Sequence, residues 1–223
     1  MPCWLDRHNR RTVWVGAAVA RLEELVPYGG HKNKEVWTTY LPHAIYVAGT
    51  HGIVNEAASA GLLDRVGRCQ ASLGQYSAAE TTHRQALLVR AQVLEPEHPD
   101  TLTSMNNVAL ALSGQGKYAK AEKMHRKTLE LRKDMLGEKH PSTLTSMYCL
   151  AHVLAKQLRY DDSGNLYEQA CAAYDTVLGK EHPTTRACHQ HHRQMLALQE
   201  QGQTLFRPEG NEDVRTSKRR RLT

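Results

Sequence analysis

The stretch HPDTLTSMNNVALALSGQGKYAKAEKMHRKTLELRKDMLG, residues 98–137, returns 42 positions later as HPSTLTSMYCLAHVLAKQLRYDDSGNLYEQACAAYDTVLG, residues 140–179. His-Pro marks the start of each copy at residues 98 and 140 and occurs again at 182. The register extends backwards as well: Tyr76, Tyr118 and Tyr160 share it, as do Gly74 and Gly116, Ala79 and Ala121, and His83 and His125. A fixed period of this length is the mark of stacked repeats, each too small to bury its own apolar face.

Inside one copy, Pro99 stands where a helix begins, since its missing N–H is not needed there, and Asp100 or Ser142 is placed to accept a free N–H of the first turn. Met105, Val108, Ala109 and Leu112 recur at helical spacing until Gly114, Gln115 and Gly116 interrupt them. A second amphipathic run from Tyr118, with Ala121, Met124, Leu129 and Leu131 among its apolar positions, ends at Gly137, a residue free to take positive φ past a helix end. Each unit is therefore expected to be a helical hairpin.

The small residues Gly67, Ala109 and Ala151, the turn aromatics Tyr76, Tyr118 and Tyr160, and Ala79 and Ala121 together resemble the tetratricopeptide repeat. The 42-residue period and the EHPxT linker look like its kinesin light chain type. This resemblance implies an all-α, right-handed α-α superhelical solenoid of tetratricopeptide helical hairpins. Repeats are expected at 58–98, 99–140 and 141–182, with a capping helix at 183–201. In the third unit Ser163 replaces the small Ala, Leu158 the turn Gly and Tyr167 the His, which predicts less regular packing. His189, His192 and Arg193, where the family has apolar residues, point to a solvent-facing cap.

Composition agrees with a helical chain. Of 223 residues 40% are hydrophobic, a single Phe is present, and no apolar run approaches the length of a membrane span. With no signal-peptide stretch in MPCWLDRHNRR, a soluble intracellular protein is expected. The five cysteines are scattered without a CxxC pair, against a disulfide scaffold. Half of the net charge of +6 sits in the last 17 residues, so the body carries no clustered basic footprint for nucleic acid.

Residues 1–57 stand outside the 42-residue register. Helices are expected over Thr12–Val26 and Glu35–Val47. The run VARLEELVPYGGHKNKEVWTTYLPHAIYVAG resembles the junction that follows the nucleotide-binding part of fungal NB-ARC and tetratricopeptide proteins, which are NLR-like; the resemblance implies a piece or shortened relative of such a protein. Residues 202–223 have the polar make-up of a disordered basic tail, and Lys218, Arg219, Arg220 and Arg221 form a candidate nuclear-import signal in an otherwise cytoplasmic protein.

Catalytic chemistry finds little support. Gly116-Lys117 mimics part of a phosphate-binding loop, but residue 111 is Ala and 118 is Tyr. No GxSxG elbow is present, and the adjacent acids Glu23-Glu24 and Asp161-Asp162 do not converge on one point. Cys188 and His192 are four residues apart, yet no second ligand pair accompanies them, so no metal is expected. No cofactor and no enzymatic activity are expected.

By the resemblance, the first helix of each hairpin lines a concave groove that takes a partner protein's peptide or helix. The corresponding outward positions are Asp64, Arg68, Asn106, Leu110, Tyr148 and His152. Asn106 is expected to hydrogen-bond an extended peptide backbone, and Asp64 to repel the terminal carboxylate of chaperone-type peptides. Asp64 and Tyr148 flank Asn106 and break the asparagine ladder of kinesin light chains. The alternatives are a kinesin light chain-like cargo adaptor, for which residues 1–60 lack a sustained heptad pattern, and a regulatory subunit of an enzyme.

Overall fold

The computed structural model describes residues 17–22, 24, 34–48 and 56–205. After a helical stretch at 17–22, the helices are α1 (Lys34–Ala48), α2 (Glu56–Ser72), α3 (Tyr76–Val93), α4 (Pro99–Gly114), α5 (Tyr118–Leu136), α6 (Pro141–Lys156), α7 (Tyr160–Val177) and α8 (Pro183–Leu205). No strand occurs among the described residues. Each helix from α1 onward packs on the next in sequence, and α2, α4, α6 and α8 also touch one another in turn, whereas α3, α5 and α7 do not. The result is an all-α, right-handed solenoid with α2, α4, α6 and α8 on its inner side and the second helices outside.

The expected hairpins are all present. Helix α1 covers the expected Glu35–Val47 with one residue more at each end, and α8 runs to Leu205, beyond the expected end at 201. Thr12–Gly16 and the import-signal candidates Lys218, Arg219, Arg220 and Arg221 lie outside the described residues. The N-terminal helices are no loose appendage: Val19, Leu22, Trp37, Leu41 and Ala44 are buried with Leu62, Leu63 and Val66 of α2. Among the described residues no helix is long and apolar enough to cross a membrane.

Local chemistry explains the helix starts. Neither Asp100 nor Ser142 supplies the cap. His98, His140 and His182 do: each Nδ1 accepts the N–H two residues on, at 3.2, 3.1 and 3.2 Å. The imidazole reaches over the proline to meet a donor that the helix leaves unpaired. The helix-start role that the recurrence of His98, His140 and His182 in the linker predicts is thus carried by the imidazole itself, as the cap.

The third hairpin packs as regularly as the others. Ser163 is fully buried and donates to the Ala151 carbonyl at 2.8 Å, and Tyr167 fills the place of the histidines with 1% exposure. The irregularity is confined to the turn, where Leu158 takes φ 63° in the place of Gly74 and Gly116, at φ 77° and 76°.

Candidate partner-binding groove

The inner helices bring Arg68, Leu110 and His152 into line, one per repeat, along a cavity of about 500 Å³ that Tyr76, Tyr118 and Lys156 also line. Leu110 is 45% exposed, a large apolar side chain left facing solvent. Among the described residues no Asp or Glu lines this cavity, and Arg68 and Lys156 are its charged side chains. Burial, with Lys156 and His191 nearby, holds the His152 imidazole below its usual value, which favours the neutral ring.

The other three expected groove residues sit one helical turn earlier and do not share that surface. Asp64 is fully buried. Its carboxylate is paired with Arg90 Nη1, and it accepts from His83 Nδ1 at 3.1 Å, Ser104 Oγ at 3.1 Å and Asn107 Nδ2 at 3.3 Å. Burial acts to raise its pKa and is the largest influence, but His83, Arg90 and Asn107 together outweigh it, so the carboxyl lies below the usual range. The expected repulsion of a peptide carboxylate from Asp64 therefore fails: this charge is neutralised inside the repeat.

Asn106 is likewise buried, at 5% exposure, with its Oδ1 enclosed and unpaired rather than offered to a ligand. Tyr148 is half-buried against α8, its hydroxyl hydrogen-bonded to His191 Nδ1 and its ring edge-on to Tyr167 at 5.8 Å. Neighbouring helices enclose these positions: α3 and α4 supply the partners of Asp64, and α7 and α8 those of Tyr148.

The cap is less solvent-facing than expected. Cys188 and Met195 are buried, His192 stacks on Tyr167 at 5.7 Å, and His189 Nε2 meets Asp175 at 3.1 Å. Cys188 and His192 thus face different neighbours rather than one point. Arg193, by contrast, is exposed.

A tie between repeats escaped the sequence reading. Arg90 Nη1 donates to the Asp100 carbonyl at 3.0 Å and to Ser104 Oγ at 2.6 Å; Arg132 Nη1 donates to the Ser142 carbonyl and to Ser146 Oγ, both at 2.8 Å. Both arginines are almost wholly buried. The signal was present, since Arg90 and Arg132, and Ser104 and Ser146, keep the 42-residue register, but a charged residue on an amphipathic helix reads as a solvated face.

Two family models described as tetratricopeptide repeat match this chain, over residues 58–134 and 143–184. A "nucleotide-binding leucine-rich repeat (NLR)-like protein" of Hyaloscypha variabilis is 35% identical over 105 residues, which are 46% of this chain and 11% of that protein. The chain therefore aligns with about a ninth of that relative's length. Among solved structures, a point variant of nearly identical TPR-like repeats from Podospora anserina, described as kinesin light chain, superposes with a TM-score of 0.60 at 21% identity. That alignment covers 89% of this chain and 92% of the other. BtubC (BKLC) from P. vanneervenii gives 0.58 at 14% identity, with 94% of each chain covered. At such identities the structures share the fold.

Proposed function

Because the chain belongs to the tetratricopeptide-repeat proteins, we propose that it is a non-catalytic interaction scaffold whose inner groove takes a peptide or helix of a partner protein. One observation carries the reading: Arg68, Leu110 and His152, one from each repeat, converge on a single solvent-open cavity. A cation, an exposed leucine and a neutral imidazole side by side suit an extended segment that offers an apolar side chain next to a carboxylate. The local likeness to an NLR-like fungal protein supports a finer role as the sensor or partner-binding part of such an NLR-like protein.

The test is affinity capture with the purified chain as bait, wild type beside the Arg68→Glu/His152→Ala variant, from the extract of a fungus that expresses it. Partners retained by wild type and lost from the variant are the expected result. Identical partner sets for the two baits overturn the groove assignment.

A further inference from the structure

On the outer side, α3 and α5 stand apart over α4 and leave a cleft of about 700 Å³, distinct from the inner groove. Leu87, Met105, Met124 and Leu131, all partly exposed, give it an apolar floor. Lys120, Lys123 and Lys127 line it at helical spacing and are solvent-exposed. None of the three lysines forms an ion pair among the described residues; Glu97 is the acidic residue along the cleft.

The repeat itself supplies the control. At the matching positions α3 carries Ala78, Thr81 and Gln85, and α7 carries Asp162, Asn165 and Gln169. The corresponding cleft between α5 and α7 is smaller, about 280 Å³, and is lined by Leu154 and Leu166 together with the polar Arg126, Arg159, Asp162 and Asn165, with no lysine. Stacking geometry therefore accounts for a gap between outer helices, but not for a large apolar floor with three lysines along one side.

We propose that the α3–α5 cleft is a second docking site, specific for an acidic amphipathic helix. From Lys120 to Leu131 the α5 wall runs about 16 Å, three turns of helix, which seats apolar side chains at i, i+3 or i+4, and i+7 of a docked helix. Methionines at two of the floor positions adapt to such side chains. Charge complementarity fixes the occupant: Asp or Glu flanking the apolar stripe pairs with the lysines and disfavours a basic helix. This site stands independently of the inner groove.

The probe is a fluorescein-labelled 15-residue peptide with Leu on one helical stripe and Glu and Ala elsewhere, followed by fluorescence anisotropy. Saturable binding is expected, weakened about tenfold or more by Lys120→Glu/Lys123→Glu/Lys127→Glu, and less by glutamine at the same three positions. A peptide with Lys in place of Glu is expected to prefer the charge-reversed variant, and Arg68→Glu to leave the affinity unchanged. No saturable binding overturns the proposal, as does equal binding of a scrambled peptide, equal affinity in the reversed and glutamine variants and wild type, or a loss caused by Arg68→Glu. Dodecanoate uptake or self-association that depends on the lysines, without peptide binding, also overturns it by assigning the cleft to another occupant.

Discussion

Asp64 and Asn106 occupy the same place in successive repeats and differ by one functional group, yet their surroundings diverge. Asp64 holds Arg90, His83, Ser104 and Asn107 together, so Asp64→Asn leaves a buried guanidinium without its counter-charge. A loss of about 3–5 kcal/mol in urea unfolding is expected, with Asn106→Ala costing much less. Neither residue showed its burial in the sequence, because a polar side chain on the inner helix has the same spacing whether it faces a ligand or a neighbouring helix. His125 carries a different consequence. Enclosed with both ring nitrogens unpaired, it is pushed down to about 4, first by burial and then by Arg132 and His152. The unfolded chain takes up that proton near pH 6.5 and the folded chain only near 4, so this contribution to stability is full above pH 6.5 and declines below it. The decline is about 1.4 kcal/mol per pH unit until pH 4. Thermal melts of His125→Leu are expected to match or exceed wild type at about pH 7.5, and their advantage to grow as pH falls from 6.5 to 4.

Helices and their junctions were the most legible level. The periodic apolar positions, the prolines and the turn glycines placed every hairpin, because these features act within a few residues of themselves. The caps were misassigned because propensity favours Asp100 and Ser142, while the geometry of the His-Pro corner delivers the preceding imidazole instead. Leu158 was visible as a departure from the turn glycine, and its cost stays local: a 71% exposed leucine in left-handed backbone, with the helices on either side undisturbed. Leu158→Gly is accordingly expected to stabilise the chain by about 1 kcal/mol, the relief of the left-handed strain less the extra flexibility of glycine when unfolded. Calorimetric melting of the two forms checks this, and a lower melting temperature for the variant is the contrary outcome.

For the whole molecule, the solenoid passes stability from neighbour to neighbour rather than through one centre. Half of the candidate groove was legible, since Arg68, Leu110 and His152 follow from repeat register alone. The rest depended on which helices cross at each turn, a property of stacking that the pattern of one hairpin does not contain. The last helix illustrates the same limit: its histidines suggested a solvated cap, but Cys188 and Met195 complete the core of the third repeat. Met195→Ala is expected to cost about 2–5 kcal/mol and to raise amide exchange in α6 and α7 more than in α2 and α3. Uniform acceleration along the chain would show that the array unfolds as one unit.

The arginine ties set rules for how such a chain can grow. Each joins a donor near the end of one repeat to a hydroxyl in the second turn of the next, as Arg90 does with Ser104 and Arg132 with Ser146. The middle repeat carries both halves of this joint, so a tandem duplication of residues 99–140 would set Arg132 of one copy against Ser104 of the next. The third repeat carries only the receiving half: Tyr174 bonds back to Thr145, and the position matching Ser146 in α8 is Cys188. Lineages descended from this sequence can therefore lengthen by copying the middle unit with the joint intact, whereas the junction after the third repeat is made without this tie, by the packing of Cys188 and Met195.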